Sequence, residues 1–384
     1  MSETRKCIYC DRAKGPNEFS LEHIFPDSLG GSHFSDLFKT RSVCQRCNSI
    51  SGLFIDGSFI KNFFSQNDSS EAALRFVDLK KPAPLPMKYM GVLDNIELTE
   101  KEVCDFWMGP HGGLVYHIRK KADVRWDCMI GGNPIEKKKH RGTVYVYGQN
   151  NDRYWLSVLF LSCLEQFKGA RFISGNIGFS AATEGEIPFL KNADTAEEKF
   201  ILEQLNNLQG NSHKSKVAVT DGFDQRFLAK LALGLGVNFF GNQFLSAPYA
   251  ISLRNAMWEK NITKRQGYGV KFYKYFNDEK KLNDIFAIEG AHTILLYPIK
   301  DELFLVTFLY GRKMIMIPIC PDKTLWNSFT ANGSIFIAAP QIQFFVGPID
   351  LVDFIAFKGG VHNIPELTNL QSRIFDVSKL PPIT

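Results

Sequence analysis

The chain has 384 residues, 45% of them hydrophobic and 22% charged, and 45 Lys and Arg against 40 Asp and Glu leave a formal charge of +5. Such a length favours two or three domains with ample material for a core, and the composition is ordinary for a soluble globular protein. The mild charge excludes a uniformly basic chain, so a nucleic-acid surface has to be local.

Other classes drop out as quickly. The start, MSETRKC, lacks the apolar core of a signal peptide. The longest apolar-looking stretch, 334–357, is interrupted by Pro340, Pro348, Asp350 and Asp353, so no membrane span is expected. Of eight cysteines, four fall in two close pairs, while Cys104, Cys128, Cys163 and Cys320 stand singly. That pattern fits a reducing cytoplasm better than a disulfide scaffold.

In chain order, residues 1–66 form the first predicted segment. It holds Cys7-Ile-Tyr-Cys10, then Glu22-His23-Ile24, then Cys44-Gln-Arg-Cys47-Asn48. The pattern predicts a knuckle, a short strand ending at the Glu-His pair, a loop at Pro26 and Gly30-Gly31, a second knuckle, and a helix opening near Asn48. Lys80–Pro86 reads as an extended linker. Residues 67–215 are expected to be a mixed region, with a strand at Thr143–Tyr147, a helix from Tyr154 to Phe167, and a surface loop over Asn206–Lys216. Residues 216–384 begin with a helix pair, Phe223–Leu235 and Leu245–Trp258, around a break at Gly241-Asn242. A β meander follows: Thr293–Ile299, Leu303–Tyr310 and Met314–Ile319. The predicted class is α+β, a zinc-knuckle module followed by a larger mixed region with an antiparallel C-terminal meander.

The chemistry concentrates at the front. Two Cys-x-x-Cys pairs, Cys7/Cys10 and Cys44/Cys47, suit one tetrahedral structural Zn²⁺, a closed site with no position for substrate. Glu22 offers a hard oxygen to a divalent cation, and His23 can gain and lose a proton near neutral pH. Asn48 can add an amide oxygen, and Asp56 sits on its helix face if the helix survives Gly52. His111, His117, His213, His292 and His362 have no ligand-like spacing.

Over roughly residues 7–60 these motifs resemble the HNH endonuclease family, in its zinc-knuckle ββα-metal branch. The resemblance implies that Glu22 and Asn48 hold one catalytic Mg²⁺ or Mn²⁺, that His23 is the general base, and that the substrate is a phosphodiester. Asp56 is the candidate third ligand. The family's central Asn falls near Lys39-Thr40 here, with His33 as a stand-in, and Ser51-Gly52 replaces its usual following Lys. A restriction, defence or mobile-element nuclease is expected, acting on DNA, with RNA also open.

Two basic stretches are candidate nucleic-acid contacts: Lys137, Lys138, Lys139 and Arg141; and Lys264, Arg265, Lys271 and Lys274 among aromatic residues. The same letters also fit a solvated turn and a strand with a basic outer face. Arg226, Lys230 and Arg254 read as a basic face or as ordinary surface charge. The C-terminal regions are expected to supply target choice, assembly into a homo-oligomer, or response to a small-molecule or protein activator. A rival reading is a zinc module that binds nucleic acid without cutting.

Overall fold

The computed structural model describes residues 4–121, 126, 128–148, 152–177, 189–220, 222–274, 279–326 and 332–380. Its contacts divide the chain into two compact units, where the sequence suggested three consecutive blocks. Residues 1–60 and 221–375 form one unit, and residues 61–220 with 376–384 form the other. The physical reason lies in the helix Gly222–Leu245, which is buried almost continuously from Gly222 to Gly236 and packs against the N-terminal segment.

In the first unit, the strands Phe19–His23 and Lys39–Cys44 pair antiparallel, with Glu22 opposite Thr40 and His23 opposite Lys39. The helix Gln45–Ser51 follows directly and continues as a π turn over Gly52–Asp56 into Gly57–Ile60. The ββα arrangement is thus present, and the helix survives Gly52 through a widened turn. The loop between the strands needs Gly30-Gly31. Gly30 has φ +86°, and a Cβ on Gly31 would lie 1.7 Å from the Phe25 carbonyl oxygen.

The rest of this unit is a six-stranded antiparallel sheet in the order Tyr273–Lys274, Lys313–Cys320, Glu302–Leu309, His292–Ile299, Ser334–Ala339, Phe344–Asp350. The meander strands match their expected positions to within two residues. The helix Gly222–Leu245 breaks at Gly241 (φ 67°, ψ −154°), and Pro248–Trp258 follows. It joins hairpin to sheet: Phe227 stacks on Phe59 at 3.9 Å, and Phe25 lies 6.4 Å from Phe227 and 6.1 Å from His292.

The second unit is a seven-stranded sheet in the order Leu190–Lys191, Arg171–Ile177, Thr143–Gly148, Leu114–Lys120, Glu102–Met108, Lys88–Leu93, Ser215–Lys216. Thr143–Gly148 runs parallel to Arg171–Ile177, which requires a crossover, and the helix Arg153–Gln166 provides it. Its Leu156, Leu159, Phe160 and Cys163 cover one sheet face, against Trp107, Val115 and Val146. Ile201 and Leu205 of the helix Ala196–Leu208 cover the other, against Phe106, Tyr116 and Tyr145. That helix occupies the start of the stretch expected to be loop from Asn206. Among the described residues no helix is long and apolar enough to cross a membrane.

Candidate active site

The four paired cysteines meet. The sulfur atoms of Cys7, Cys10, Cys44 and Cys47 all lie within 4.8 Å of one another. Four thiolates about 2.3 Å from one Zn²⁺ stand under about 4 Å apart, so the set fits a tetrahedral zinc. The Cys44 N–H donates to Cys7 Sγ at 3.3 Å. The hydrogen bond from the Cys47 thiol lowers Cys7 to about 4, and the same bond raises Cys47.

His23 ends its strand, and the pleat separates it from its neighbour. Glu22 is turned into the unit at 3% exposure, while His23 stays half-buried on the opposite face. His23 Nδ1 lies 3.1 Å from Asp27 Oδ1. A carboxylate on Nδ1 orients an imidazole and leaves the lone pair on Nε2. Asp27 was missed in the sequence; its signal is the carboxylate four residues after the histidine, in the turn that Pro26 opens. Asn48 Nδ2 donates to Ser20 Oγ at 3.0 Å and to the Leu21 carbonyl at 2.8 Å, fastening the helix to the His23 strand.

Glu22 has company that its local sequence does not announce. Lys230 Nζ, fully buried, lies 2.8 Å from Glu22 Oε1 and 2.6 Å from Asp56 Oδ2, and the Tyr9 hydroxyl donates to Glu22 Oε1 at 3.1 Å. Asp56, expected as a third ligand, is thus paired with an ammonium group through Oδ2. Burial raises Asp56 to about 6 against the pull of Lys230, and its Oδ1 has no hydrogen-bond partner. A cation at Glu22 would share that carboxylate with Lys230. Both bonds to Glu22 fall on Oε1, and both from Asn48 use Nδ2. Among the described residues no second group of three or more His, Cys, Asp or Glu donors is assembled.

The support expected near Lys39-Thr40 comes from elsewhere. Asn238 Nδ2, on the long helix, donates to the carbonyls of Leu37 at 3.0 Å and Lys39 at 2.8 Å, and so holds the strand opposite His23. His33 is exposed and supplies no such clamp.

Residues 7–64 match the family model of the HNH endonucleases. No curated protein and no solved structure matches the chain. The HNH match covers the knuckles, the hairpin and the helix, and it implies a nucleic-acid substrate.

The basic residues divide. Lys138, Lys139 and Arg141 are exposed, while Lys137 is half-buried and desolvation lowers it to about 8. Lys264 is exposed, as is Lys271, 3.7 Å from Glu302. Arg265 is corrected to a structural role. It is 1% exposed and donates to the carbonyls of Glu259 and Gly222 and to Gln225 Oε1. The Lys274 side chain lies outside the described residues. Arg226, Lys230 and Arg254 are not surface charges either: all three are buried in the first unit.

Proposed function

We propose that the protein is a metal-dependent endonuclease that hydrolyses phosphodiester bonds in DNA. The observation that supports this most is the Asp27–His23 pair at the end of the hairpin strand, inside the segment that matches the HNH endonucleases. Asp27 holds the ring by Nδ1, and Nε2 takes a proton from water as its oxygen attacks phosphorus and the P–O bond to the leaving oxygen breaks. A Mg²⁺ or Mn²⁺ ion held by Glu22 and Asn48 would supply charge stabilisation to that leaving oxygen. Tyr9 and Lys230 fix the Glu22 carboxylate, and Ser20 with Leu21 fixes the Asn48 amide. The four-cysteine zinc site is scaffold in this reading. A restriction, defence or mobile-element role in the cytoplasm is the setting we infer.

One observation favours a second reading, a nucleic-acid-binding module that does not cut: Lys230 already pairs with the carboxylate that a metal would use. A plasmid-nicking assay with Mg²⁺, with Mn²⁺ and with EDTA separates the two. We expect metal-dependent nicking by the wild type. His23→Ala should abolish it and Asp27→Asn should reduce it about 10- to 100-fold, with zinc content and circular dichroism unchanged. Nicking by His23→Ala at the wild-type rate would remove His23 from the mechanism, and a silent wild type with every metal would favour the binding module.

A further inference from the structure

Beside the first knuckle the first unit has a groove of about 580 Å³, bordered by Tyr9 and Cys10 on one side and by the end of the helix Pro248–Trp258 on the other. This volume falls in the range of small-ligand sites. Arg254 lines it. The side chain is 8% exposed, Nε donates to the Ile8 carbonyl at 3.0 Å, and one terminal guanidinium nitrogen, NH2, is buried with no partner. A guanidinium taken out of water with a donor unspent is costly, and an anion that reaches it from the groove would remove that cost.

The rest of the lining has matching chemistry. Arg12 and Lys260 are exposed at its edge. Glu259 is the acidic residue of the lining, and its carboxylate already accepts from the Asn261 N–H at 2.9 Å and the Tyr268 hydroxyl at 3.4 Å. Two half-buried rings have fixed planes. Trp258 is held by its indole N–H on the Tyr9 carbonyl at 2.8 Å, and Tyr268 by Glu259. Against three cations the lining sets one engaged carboxylate and Cys10, one corner of a zinc–tetrathiolate cluster of net charge −2; the unspent donor of Arg254, next to two oriented aromatic faces, fits a phosphate joined to a planar base.

We propose that this groove binds a nucleotide unit, its phosphate on Arg254 with Arg12 and Lys260 at the edge, and its base against Trp258 or Tyr268. The unit comes either from a nucleic-acid strand or from a free nucleotide. The site goes beyond the nuclease reading and does not depend on His23.

The test uses full-length zinc-loaded protein, with binding followed by calorimetry and by quenching of tryptophan fluorescence. The probes are inorganic phosphate, adenosine, adenosine 5′-monophosphate and a single-stranded dT oligonucleotide. We expect the monophosphate to bind at least about tenfold more tightly than adenosine or phosphate alone. Arg254→Gln should bring the monophosphate down to the level of adenosine. Because Arg254 also touches the knuckle backbone, the exposed Lys260→Glu serves as the second variant; it should weaken the monophosphate several-fold and leave adenosine unchanged. Competition by the oligonucleotide assigns the site to a strand, and its absence assigns it to a free nucleotide. No preference for the monophosphate, or equal affinity in both variants, overturns the proposal. His23→Ala protein should bind like the wild type, so a failed nuclease assay and a failed binding assay are told apart.

Discussion

Each of the two units buries a carboxylate against a cation, and the two clusters are built differently. In the second unit Asp105 is fully buried and both its oxygens are used: Tyr89 donates to Oδ1 at 3.1 Å, and Arg119 grips Oδ1 and Oδ2 as a fork. In the first unit a single ammonium, Lys230, serves two carboxylates, Glu22 and Asp56, and one Asp56 oxygen is left without a partner. One anion held by a fork is a closed arrangement that fixes a sheet. Two anions on one point charge leave charge in excess, and burial pushes Asp56 up to about 6. The satisfied cluster lies among ordinary sheet strands, whereas the unsatisfied one lies behind the His23 hairpin.

The hardest way to break this comparison is to remove the central partner on each side. Asp105→Ala should destabilise the second unit, and Lys230→Met the first, each by about 3–5 kcal/mol in urea denaturation, because each leaves buried charge unpaired. Only Lys230→Met should be partly rescued, by adding Glu22→Gln and Asp56→Asn. Equal rescue on both sides would erase the difference.

Acid should come next in size. His117, 4.0 Å from Asp105, is lowered to about 4 by burial, and its Nε2–H donates to the Arg141 carbonyl, 2.9 Å away. Its unfolded value is about 6.5, so between pH 6.5 and 4 the unfolded chain binds the extra proton and stability falls as pH falls. His292, lowered to about 3 by burial, acts in the same direction in the first unit. Replacing His117 with Gln should make the second unit's urea midpoint less sensitive to pH in that window, by an amount worth about 2–3 kcal/mol; an unchanged slope would contradict a neutral buried His117.

Asn238→Ala is a smaller cut. It strips two hydrogen bonds from the strand facing His23, and we expect a loss of about 1–2 kcal/mol with a larger proportional loss of nicking rate than of substrate affinity. Asp56→Asn should be smallest, within about 1 kcal/mol at pH 7. The folded value of Asp56 lies above its unfolded one, so the folded state holds the proton longer and wild-type stability falls as pH rises from about 4 to about 6. That fall should be absent from the Asp56→Asn protein. Damage as great as that of Lys230→Met would mean that Asp56, and not Lys230, anchors the cluster.

How much was legible follows from distance along the chain. The four cysteines, the Glu22-His23 pair, Asn48 and the meander strands are local patterns, and each reads directly from spacing or alternation. Asp27 was within reach, four residues from His23. Lys230 and Asn238 were not, because they act 174 and about 200 residues from their partners. Lys230 also sits in a helix so apolar that a lone lysine reads as a solvent-facing exception, and its burial depends on two carboxylates that no periodicity points to. Arg265 misled for the opposite reason: in a run of cations and rings it reads as a surface contact, while its five donors are used on backbone carbonyls and Gln225 within its own unit.

The all-round burial of the helix Gly222–Leu245 also has a bearing on synthesis. A ribosome releases the hairpin and its Glu22 and Asp56 long before the lysine they need; 174 residues separate Asp56 from Lys230. At about 5–20 residues per second that interval is roughly 10–35 s. Throughout it the nascent segment has its knuckles but not the wall behind Glu22, nor the clamp on Lys39. If the proposed nuclease centre is real, the wall behind Glu22 and the clamp on Lys39 are added to it only once residues 230 and 238 have been made.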